Sequence, residues 1–555
     1  VSKNVYFISI LIVLLNSCGI KKSINDRPDL SSYNSNIPEK ITVNDSTFYA
    51  GNNFLVKNKQ GLWELYVEGD PLERGLITGS LTKDLMYKQE NVFFEKINEM
   101  VPSEGQQKFL RKFLSWYNRK MYKHIPEEFK AEIYGVSRYA SDDFNSIALP
   151  YLRSLYLHGA HDIGHALQDL ALVGCTSFAA WDEKTEDGKL LIGRNFDFYA
   201  GDDFAEEKII AFVNPDQGNS FMSVTWGGFI GVVSGMNNKG LTVTINAGKS
   251  KIPLVAKTPI SILTREILQY ASNIDEAIAI AKNREVFVSE SIMVGSATDK
   301  KAILIEVSPN DLGVYEVENS NELICSNHFQ SEVYKKDRRN NKTIDKSHSQ
   351  YRFERMQELL NEEEKINPTE AVEILRNKRG LDDKNIGLGN EKALNQLLAH
   401  HGIVFQPEDL KVWVSSNPYQ LGEFVAYDLN EIFNAKKEKP SQVSISNSAL
   451  NIAEDGFLNT EIFSNYETYR ILERKVEAAL ENEIDVSAQD LNQLTLLNPE
   501  YWKAHKLTAD YYYQNKEFSK ALGYYKKAMT KEVTTQPDVE YIEKRIKKSQ
   551  RKSNR

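Results

Sequence analysis

At 555 residues the chain exceeds what one hydrophobic core usually organises, so two or more structural units are expected. A formal net charge of -9, from 68 Lys and Arg against 77 Asp and Glu, argues against nucleic acid as a partner, because phosphate binding relies on clustered cations. Three cysteines, Cys18, Cys175 and Cys325, exclude a disulfide framework, so each thiol needs its own explanation.

The chain opens with Lys3 and Asn4, an apolar run over residues 5–15, and then Asn16-Ser17-Cys18. A charged start, an apolar stretch too short to cross a bilayer and small residues at its end make an export signal. The pattern resembles a bacterial lipoprotein signal. That resemblance implies a signal peptide over 1–17, lipidation of Cys18 and attachment to the cell envelope, at the periplasmic face or the outer membrane. A plain signal peptide or short anchor is the alternative. Residues 18–40, rich in Ser, Asn, Asp, Lys and Pro, are expected to be a flexible tether with too little apolar surface to pack. No later stretch is apolar enough to span a membrane, which leaves the lipid as the sole attachment.

Residues 41–174 read as a mainly helical N-terminal segment. Residues 41–63 are strand-like, and Gly69-Asp70-Pro71, with Arg74, Gly75 and Gly79, marks a turn into a helix. Helical spacing then dominates from 81 to about 172. Phe93, Phe94 and Ile97, then Phe109, Leu110, Phe113, Leu114 and Tyr117, recur at three and four residues, which gives each helix one buried stripe.

At Cys175 the pattern changes to short β-branched and aromatic runs over 176–181, 190–198, 208–213, 221–233 and 241–245. Asp187-Gly188 and Asn238-Lys239-Gly240 between them tolerate positive φ and predict antiparallel hairpins. Two helices are predicted over 259–282, strands over 291–296, 302–307, 313–317 and 323–326, and helices near 351–360, 368–376 and 392–400. A last strand pair over 412–415 and 424–428 closes the unit, which spans 175–435. This order implies an α+β fold in which helices cover antiparallel sheets, and a four-layer αββα sandwich fits the count. Residues 436–459 are a polar linker. Residues 460–555 are an all-α extension whose heart, 501–529, places Tyr512, Phe518, Ala521, Leu522, Tyr525 and Ala528 as in a tetratricopeptide repeat. Only one unit is clear, so the tail is expected to pack on the core or on a helix over 461–480. A plain helical cap and a surface for a protein partner are its two readings.

The Gly174-Cys175 pair suits self-cleavage by an N-to-S acyl shift, with glycine admitting a strained backbone that brings its carbonyl to the thiol. The product is a cysteine with a free α-amine, whose ordinary pKa of roughly 7.7–8.0 suits it to take the thiol proton. The amides of Asn246 and Asn327 are candidate oxyanion donors. Arg194 can favour the thiolate and orient the substrate, Asp197 can hold the amine, and Arg352 completes the polar set. Several of these residues also have a plainer reading: an ion-paired strand edge for 194–197, a turn former for Asn246, a small core residue for Cys175.

In order, Cys175, Arg194-Asn195-Phe196-Asp197, Gly235-Met236-Asn237 with Gly240-Leu241 ahead of Asn246, Asn327-His328 and Ser349 with Arg352 resemble the N-terminal-nucleophile (Ntn) hydrolases, in the choloylglycine hydrolase and penicillin acyltransferase branch. Pro71, Arg74, Gly75 and Gly79 are similar to a Gly-x-Pro-x-x-x-Gly stretch of the acyltransferase-like members. The resemblance covers about residues 60–430. It implies an αββα sandwich, a pre-nucleophile segment that stays bound as a small subunit after cleavage, and an acyl-thioester route on a linear, non-peptide amide of a small N-acylated substrate. No cofactor or metal is implied. The pre-nucleophile segment is longer than a disposable propeptide and would be the membrane-anchored piece.

Two rival readings use other residues. His158, His161, Asp162 and His165 share a helical face at metal-ligand spacing and would serve a metal-dependent hydrolase, although no HExxH arrangement is evident. A catalytically inactive surface lipoprotein presenting residues 460–555 is the non-enzymatic reading; it is opposed by the retention of Cys175, Arg194 and Asp197. Cys325 reads as core, and His328 as shaping the pocket.

Overall fold

A computed structural model describes residues 19–101, 103–160, 162, 174–198, 201–251, 253, 255–434 and 444–554. The strands are β1 (Ile41–Asn44), β2 (Thr47–Ala50), β3 (Asn53–Lys57), β4 (Trp63–Gly69), β5 (Thr176–Ala180), β6 (Leu191–Phe196), β7 (Ile209–Pro215), β8 (Phe221–Thr225) and β9 (Ser234–Asn237). They continue with β10 (Leu241–Ala247), β11 (Glu290–Ser296), β12 (Lys301–Val307), β13 (Leu312–Tyr315), β14 (Glu322–Cys325), β15 (His401–Gln406), β16 (Lys411–Ser415) and β17 (Phe424–Asp428). Among the described residues they form an 11-stranded sheet, ordered β1-β2-β3-β4-β7-β8-β9-β10-β11-β12-β13, and a 6-stranded sheet, ordered β14-β5-β6-β15-β16-β17.

The segment ahead of Cys175 is thus part of the large sheet. β4 pairs with β7 in parallel over its whole length, from Trp63 opposite Ile209 to Gly69 opposite Pro215. A cut at residue 174 would leave β1 to β4 held by that ladder and by the apolar faces beneath it. The expected mainly helical segment therefore begins with four strands, and the sandwich does not respect a boundary at 174.

Alternation along the strands builds the layers. In β7, Ile210 and Phe212 face the small sheet, where Ile192, Ile403, Phe405 and Val414 meet them, while Ile209, Ala211 and Val213 face outward. The outer face of the large sheet is covered by helices Ile260–Tyr270 and Ile274–Lys282 through Leu263, Ile267, Leu268 and Ala277. Helices Ser349–Glu362 and Pro368–Leu375 cover the small sheet, packing Met356, Leu360 and Val372 against Phe178, Leu191 and Val404. The result is an αββα sandwich with a helical layer before it and an all-α extension after it.

The turn at Gly69-Asp70-Pro71 opens the long helix Pro71–Met100: Asp70 caps it by accepting from the Glu73 amide at 3.0 Å, and Pro71 occupies the first turn. Arg74 is fully buried and donates to Glu132 at 2.7 Å, and Arg265 reaches the same carboxylate at 3.1 Å. Gly75 lets helix Glu127–Ser137 approach, since a Cβ there would stand 2.1 Å from the Glu132 carbonyl oxygen. Close helix packing and one buried ion cluster account for this motif.

Three expectations need correction. Residues 392–400 are turns, not a helix; Leu394 packs under the small sheet while Leu397, at φ +53°, packs into the tail, so the helix-like spacing serves two cores. Strand β15, directly after, was not foreseen. The supposed tether starts with helix Gly19–Asn25 and docks: Lys130 lies 3.3 Å from Asp26, Arg27 sits over the Tyr151 ring, and the Asn34 amide donates to Asp70 at 2.7 Å. Composition measures apolar surface and overlooks docking through ion pairs. Cys18 and the signal pattern lie outside the described residues, and among those described no helix is long and apolar enough to cross a membrane.

Helices Glu461–Asn482, Ala488–Leu497, Trp502–Gln514, Phe518–Ala528 and Gln536–Ser553 form the tail. Its core of Tyr466, Tyr469, Leu494, Tyr501, Trp502 and Tyr525 takes in Leu397 and Leu421 from the sandwich. Asn498 exchanges two hydrogen bonds with Leu388, at 3.1 and 2.8 Å, and Lys392 pairs with Glu532 at 2.6 Å.

Candidate active site

Cys175 immediately precedes β5, and the β5–β6 hairpin sets Ser177 opposite Arg194, so the thiol and the guanidinium emerge at the same end of the small sheet. β14 pairs Cys325 with Ser177 on the other side and delivers Asn327 to that end. Ser177 Oγ donates to Asn246 Oδ1 at 2.8 Å, which ties the end of β10 in the large sheet to the small one. Helix Ser349–Glu362 supplies the rest from one face: Ser349 Oγ accepts from the Asn327 amide at 2.8 Å, and Arg352, one turn on, points at residue 174. The six candidate residues therefore converge.

The thiol is 1% exposed. Arg194 Nη2 lies 3.8 Å from its sulfur, while Nη1 donates to Ser234 Oγ at 2.5 Å, Nη2 also donates to the Ile245 carbonyl, and the guanidinium stacks over Phe196. Burial pushes the Cys175 thiol up to about 11, against the pull of Arg194. The thiol is therefore protonated near neutral pH.

Arg352 Nη1 is 2.8 Å from the Gly174 carbonyl and 2.8 Å from the Cys175 carbonyl, and its Nη2 donates to Asn327 Oδ1 at 2.5 Å. Asn327 Nδ2 donates to the Ala247 carbonyl at 2.9 Å. The Asn246 amide nitrogen faces the carbonyls of Cys325 and Ser326, at 3.2 and 3.5 Å. Asp197 accepts the Gly174 amide on its own carbonyl at 3.2 Å and a Gln420 hydrogen on Oδ1 at 3.3 Å; burial raises its carboxyl to about 7, opposed by Arg352, Gln420 and Arg194.

Two groups escaped the sequence. Gln396 donates from Nε2 to the Gly174 carbonyl at 3.0 Å, from the turns over 392–400. Behind Arg194, Ser234 Oγ lies 2.9 Å from His401 Nε2, and the Nδ1 atoms of His401 and His400 lie 2.9 Å apart. The adjacent histidines were visible as residues; what they touch depended on β15, which pairs His401 with Phe196.

His158 is committed to the fold. Its Nδ1 bonds the Ser154 carbonyl at 2.8 Å, its Nε2 accepts from the Ile230 amide at 3.0 Å, and its ring stacks on Phe229. With both nitrogens used, it has no lone pair for a metal. Asp162 accepts from the Ile260 amide at 2.7 Å, and burial raises it to about 8. His161 and His165 lie outside the described residues; among those described, no group of three potential ligands occurs. Cys325 is buried between the sheets, as a core residue.

The chain is similar to several known proteins over part of its length. Residues 183–417 match the family model of acyl-coenzyme A:6-aminopenicillanic acid acyl-transferase, a span that begins beyond Cys175. An uncharacterized protein of Archaeoglobus fulgidus is 26% identical over 275 residues, 46% of this chain and 45% of its own length. Protein dcd1B of Dictyostelium discoideum is 26% identical over 196 residues, 35% of this chain and 36% of its own. The chain thus spans under half the length of these curated relatives. Among solved structures, a Caenorhabditis elegans N-acylethanolamine-hydrolyzing acid amidase ortholog aligns with a TM-score of 0.31 at 18% identity, covering 42% of this chain and 93% of that one. A conjugated bile acid hydrolase variant from Clostridium perfringens aligns with a TM-score of 0.31 at 17% identity, covering 46% and 93%. The family match and the layer order together describe an Ntn-hydrolase-like sandwich.

Proposed function

We propose that this chain is an Ntn-type cysteine amidohydrolase or acyltransferase that cuts its own Gly174–Cys175 bond and then cleaves a linear amide of a small N-acylated substrate through a thioester on Cys175. One observation carries the reading: a buried Gly-Cys peptide has Arg194 at 3.8 Å from its sulfur and Arg352 at 2.8 Å from its carbonyl oxygen. A merely structural cysteine needs neither.

In self-cleavage the Cys175 sulfur adds to the Gly174 carbonyl carbon. The thiol proton passes to the departing amide nitrogen, the C–N bond breaks, and a thioester with a free α-amine results. Water then cleaves the C–S bond, leaving a Gly174 carboxylate and the Cys175 thiol. Asp197, poised near neutrality by burial, accepts and returns the proton in the uncut chain, and afterwards holds the amine. That amine is the base for later turnovers, which form and break the same bonds on the substrate. Asn327 gives one of its two amide hydrogens to Ala247 and keeps the other for the substrate oxyanion. Asn246, held by two carbonyls and Ser177, shares this role. Arg194 steadies the thiolate and orients the substrate carbonyl.

The same reading includes export, with a lipid on Cys18 holding the molecule at the envelope; incorporation of labelled palmitate into the wild type and not into Cys18→Ala tests that part. The catalytic part is tested by denaturing electrophoresis and N-terminal sequencing of the larger band, which should start at Cys175. Mass spectrometry after incubation with N-acyl amino acids, bile-salt conjugates and penicillins should find an acyl group on that residue. Cys175→Ala abolishes both cutting and turnover. An uncut wild-type chain with full turnover would refute the α-amine mechanism.

A further inference from the structure

We infer that Gln396 is a catalytic residue of self-cleavage, forming with Arg352 a two-donor cradle for the oxyanion that develops on Gly174. The inference rests on the self-cutting reading above. The Gly174 carbonyl oxygen receives Gln396 Nε2 at 3.0 Å and Arg352 Nη1 at 2.8 Å. When the Cys175 sulfur adds to that carbon, the C=O electron pair moves onto this oxygen, and donors already in place gain strength as the charge grows. The pair returns as the C–N bond breaks. Asn246 and Asn327 direct their amide nitrogens to other carbonyls in the uncut chain. Among the described residues, then, the donors on the first carbonyl to react differ from those assigned to the substrate's.

Glycine at 174 follows from the same contact. Its φ lies outside the left-handed region, so backbone freedom is not what the site requires. A Cβ at 174 would stand 2.1 Å from Gln396 Nε2 and 2.7 Å from its Cδ, so glycine is what lets the amide lie against the carbonyl. A close approach takes the place of the expected strained backbone.

Gln396 is also held in place. It is 3% exposed, the Asn395 amide before it donates to the Asn377 carbonyl at 2.9 Å, and the Leu397 amide after it donates to Asn395 Oδ1 at 2.9 Å. Leu394 anchors the loop under the small sheet and Leu397 anchors it in the tail. The C-terminal helices thereby buttress the loop that carries the donor, which gives the tail a part in maturation.

The test is a time course of chain splitting in freshly synthesised full-length protein, with circular dichroism and melting as folding controls. The wild type splits, and Gln396→Ala splits about 10²-fold more slowly. Hydroxylamine, which cleaves a formed thioester, leaves that variant slow because the acyl shift itself is impaired. Gln396→Glu supplies a readout that a structural role would not move: its rate relative to wild type rises as pH falls, because only the protonated carboxyl can donate. It keeps the inference testable if the alanine variant misfolds. A wild type that splits while Gln396→Ala keeps pace, a hydroxylamine rescue, or a pH-flat Gln396→Glu ratio each overturn the role of Gln396 alone. A wild type that never splits overturns this inference and the self-cutting reading together.

Discussion

Arg74, in the helical layer, and Arg352, beside Cys175, are both fully buried, and their partners differ. Arg74 meets the Glu132 carboxylate at 2.7 Å; burial works against its charge, and Glu132 with Asp216 and Glu128 more than reverses that, so its pKa rises. Arg352 donates to two backbone carbonyls, the Thr176 hydroxyl and an asparagine oxygen, and burial lowers it to about 10. Among the described residues neither Arg352 nor Arg194 sits in an ion pair. A buried cation answered by a carboxylate closes its field locally, whereas one answered by neutral oxygens leaves its field directed at whatever charge forms nearby. The first arrangement is scaffold. The second costs stability and is the arrangement that the proposed reaction would use, since negative charge forms in it.

Removing each arginine should separate these roles. Arg352→Met is expected to slow self-cleavage and turnover by about 10²–10³-fold while the protein still folds. Arg74→Met leaves Glu132 with Arg265 alone and should destabilise by about 3–5 kcal/mol, with the rate per folded molecule unchanged. Denaturant melts beside single-turnover rates check both, and a destabilised Arg352 variant with a wild-type rate would erase the distinction.

The same contrast shows what the amino-acid order discloses. Cys175, Arg194, Asp197, Asn246, Asn327 and Arg352 stand out as candidates because each belongs to a short motif on a strand or helix end whose period is visible. Gln396 belongs to a loop positioned from both sides, by Leu394 and Leu397, and no local spacing encodes that. The sheets were legible through β-branched runs and turn residues. The parallel pairing of β4 with β7 was not, because the partner strands lie some 150 residues apart, with the whole helical layer between them. Arg74 and Gly75 stood out as motif residues, but a sequence cannot say whether such a pair serves packing or chemistry.

Protonation offers a second comparison. Burial raises Asp197 to about 7, whereas Arg265 and Arg74 outweigh burial at Glu132 and lower it. Asp197, with a folded pKa above its unfolded value, favours the native state most below about 4 and loses that contribution as pH rises toward 7. Glu132 has the opposite sign: its contribution is present above the unfolded carboxylate range and is lost as pH falls through its lowered value. Asp197→Asn should therefore melt at higher temperature than wild type above pH 7, with the gap closing below pH 4. It should also lose self-cleavage. A gap of the same size at both extremes would show that the fold does not raise the pKa of Asp197.

Gly75 and Gly174 make a smaller contrast, since a Cβ at either would meet a neighbour at 2.1 Å. At Gly75 that neighbour is the backbone of helix Glu127–Ser137, so two helices must separate, and Gly75→Ala should cost about 1–3 kcal/mol. At Gly174 it is a side-chain amide that can swing aside, so Gly174→Ala should melt close to wild type and show its effect in cleavage. Equal losses of melting temperature would mean that the loop carrying Gln396 is as rigid as a helix.

The least effect belongs to the polar rim between tail and sandwich. Arg470 and Arg474 reach the two oxygens of Asp202 at 2.5 and 2.7 Å, but Asp202 and Arg474 stand well into solvent. Pairs screened in this way typically contribute about 0.2–1 kcal/mol. The two arginines, outweighing burial, lower the Asp202 pKa, so what the rim contributes is present at neutral pH and lost as pH falls through that lowered value. Asp202→Asn should lower the melting temperature by a degree or two, less at high salt, and leave self-cleavage intact, because Leu397 and Leu421 still seat the tail on the sandwich. Slower cleavage in this variant would mean that the polar rim, and not the apolar seam, sets the loop that bears Gln396.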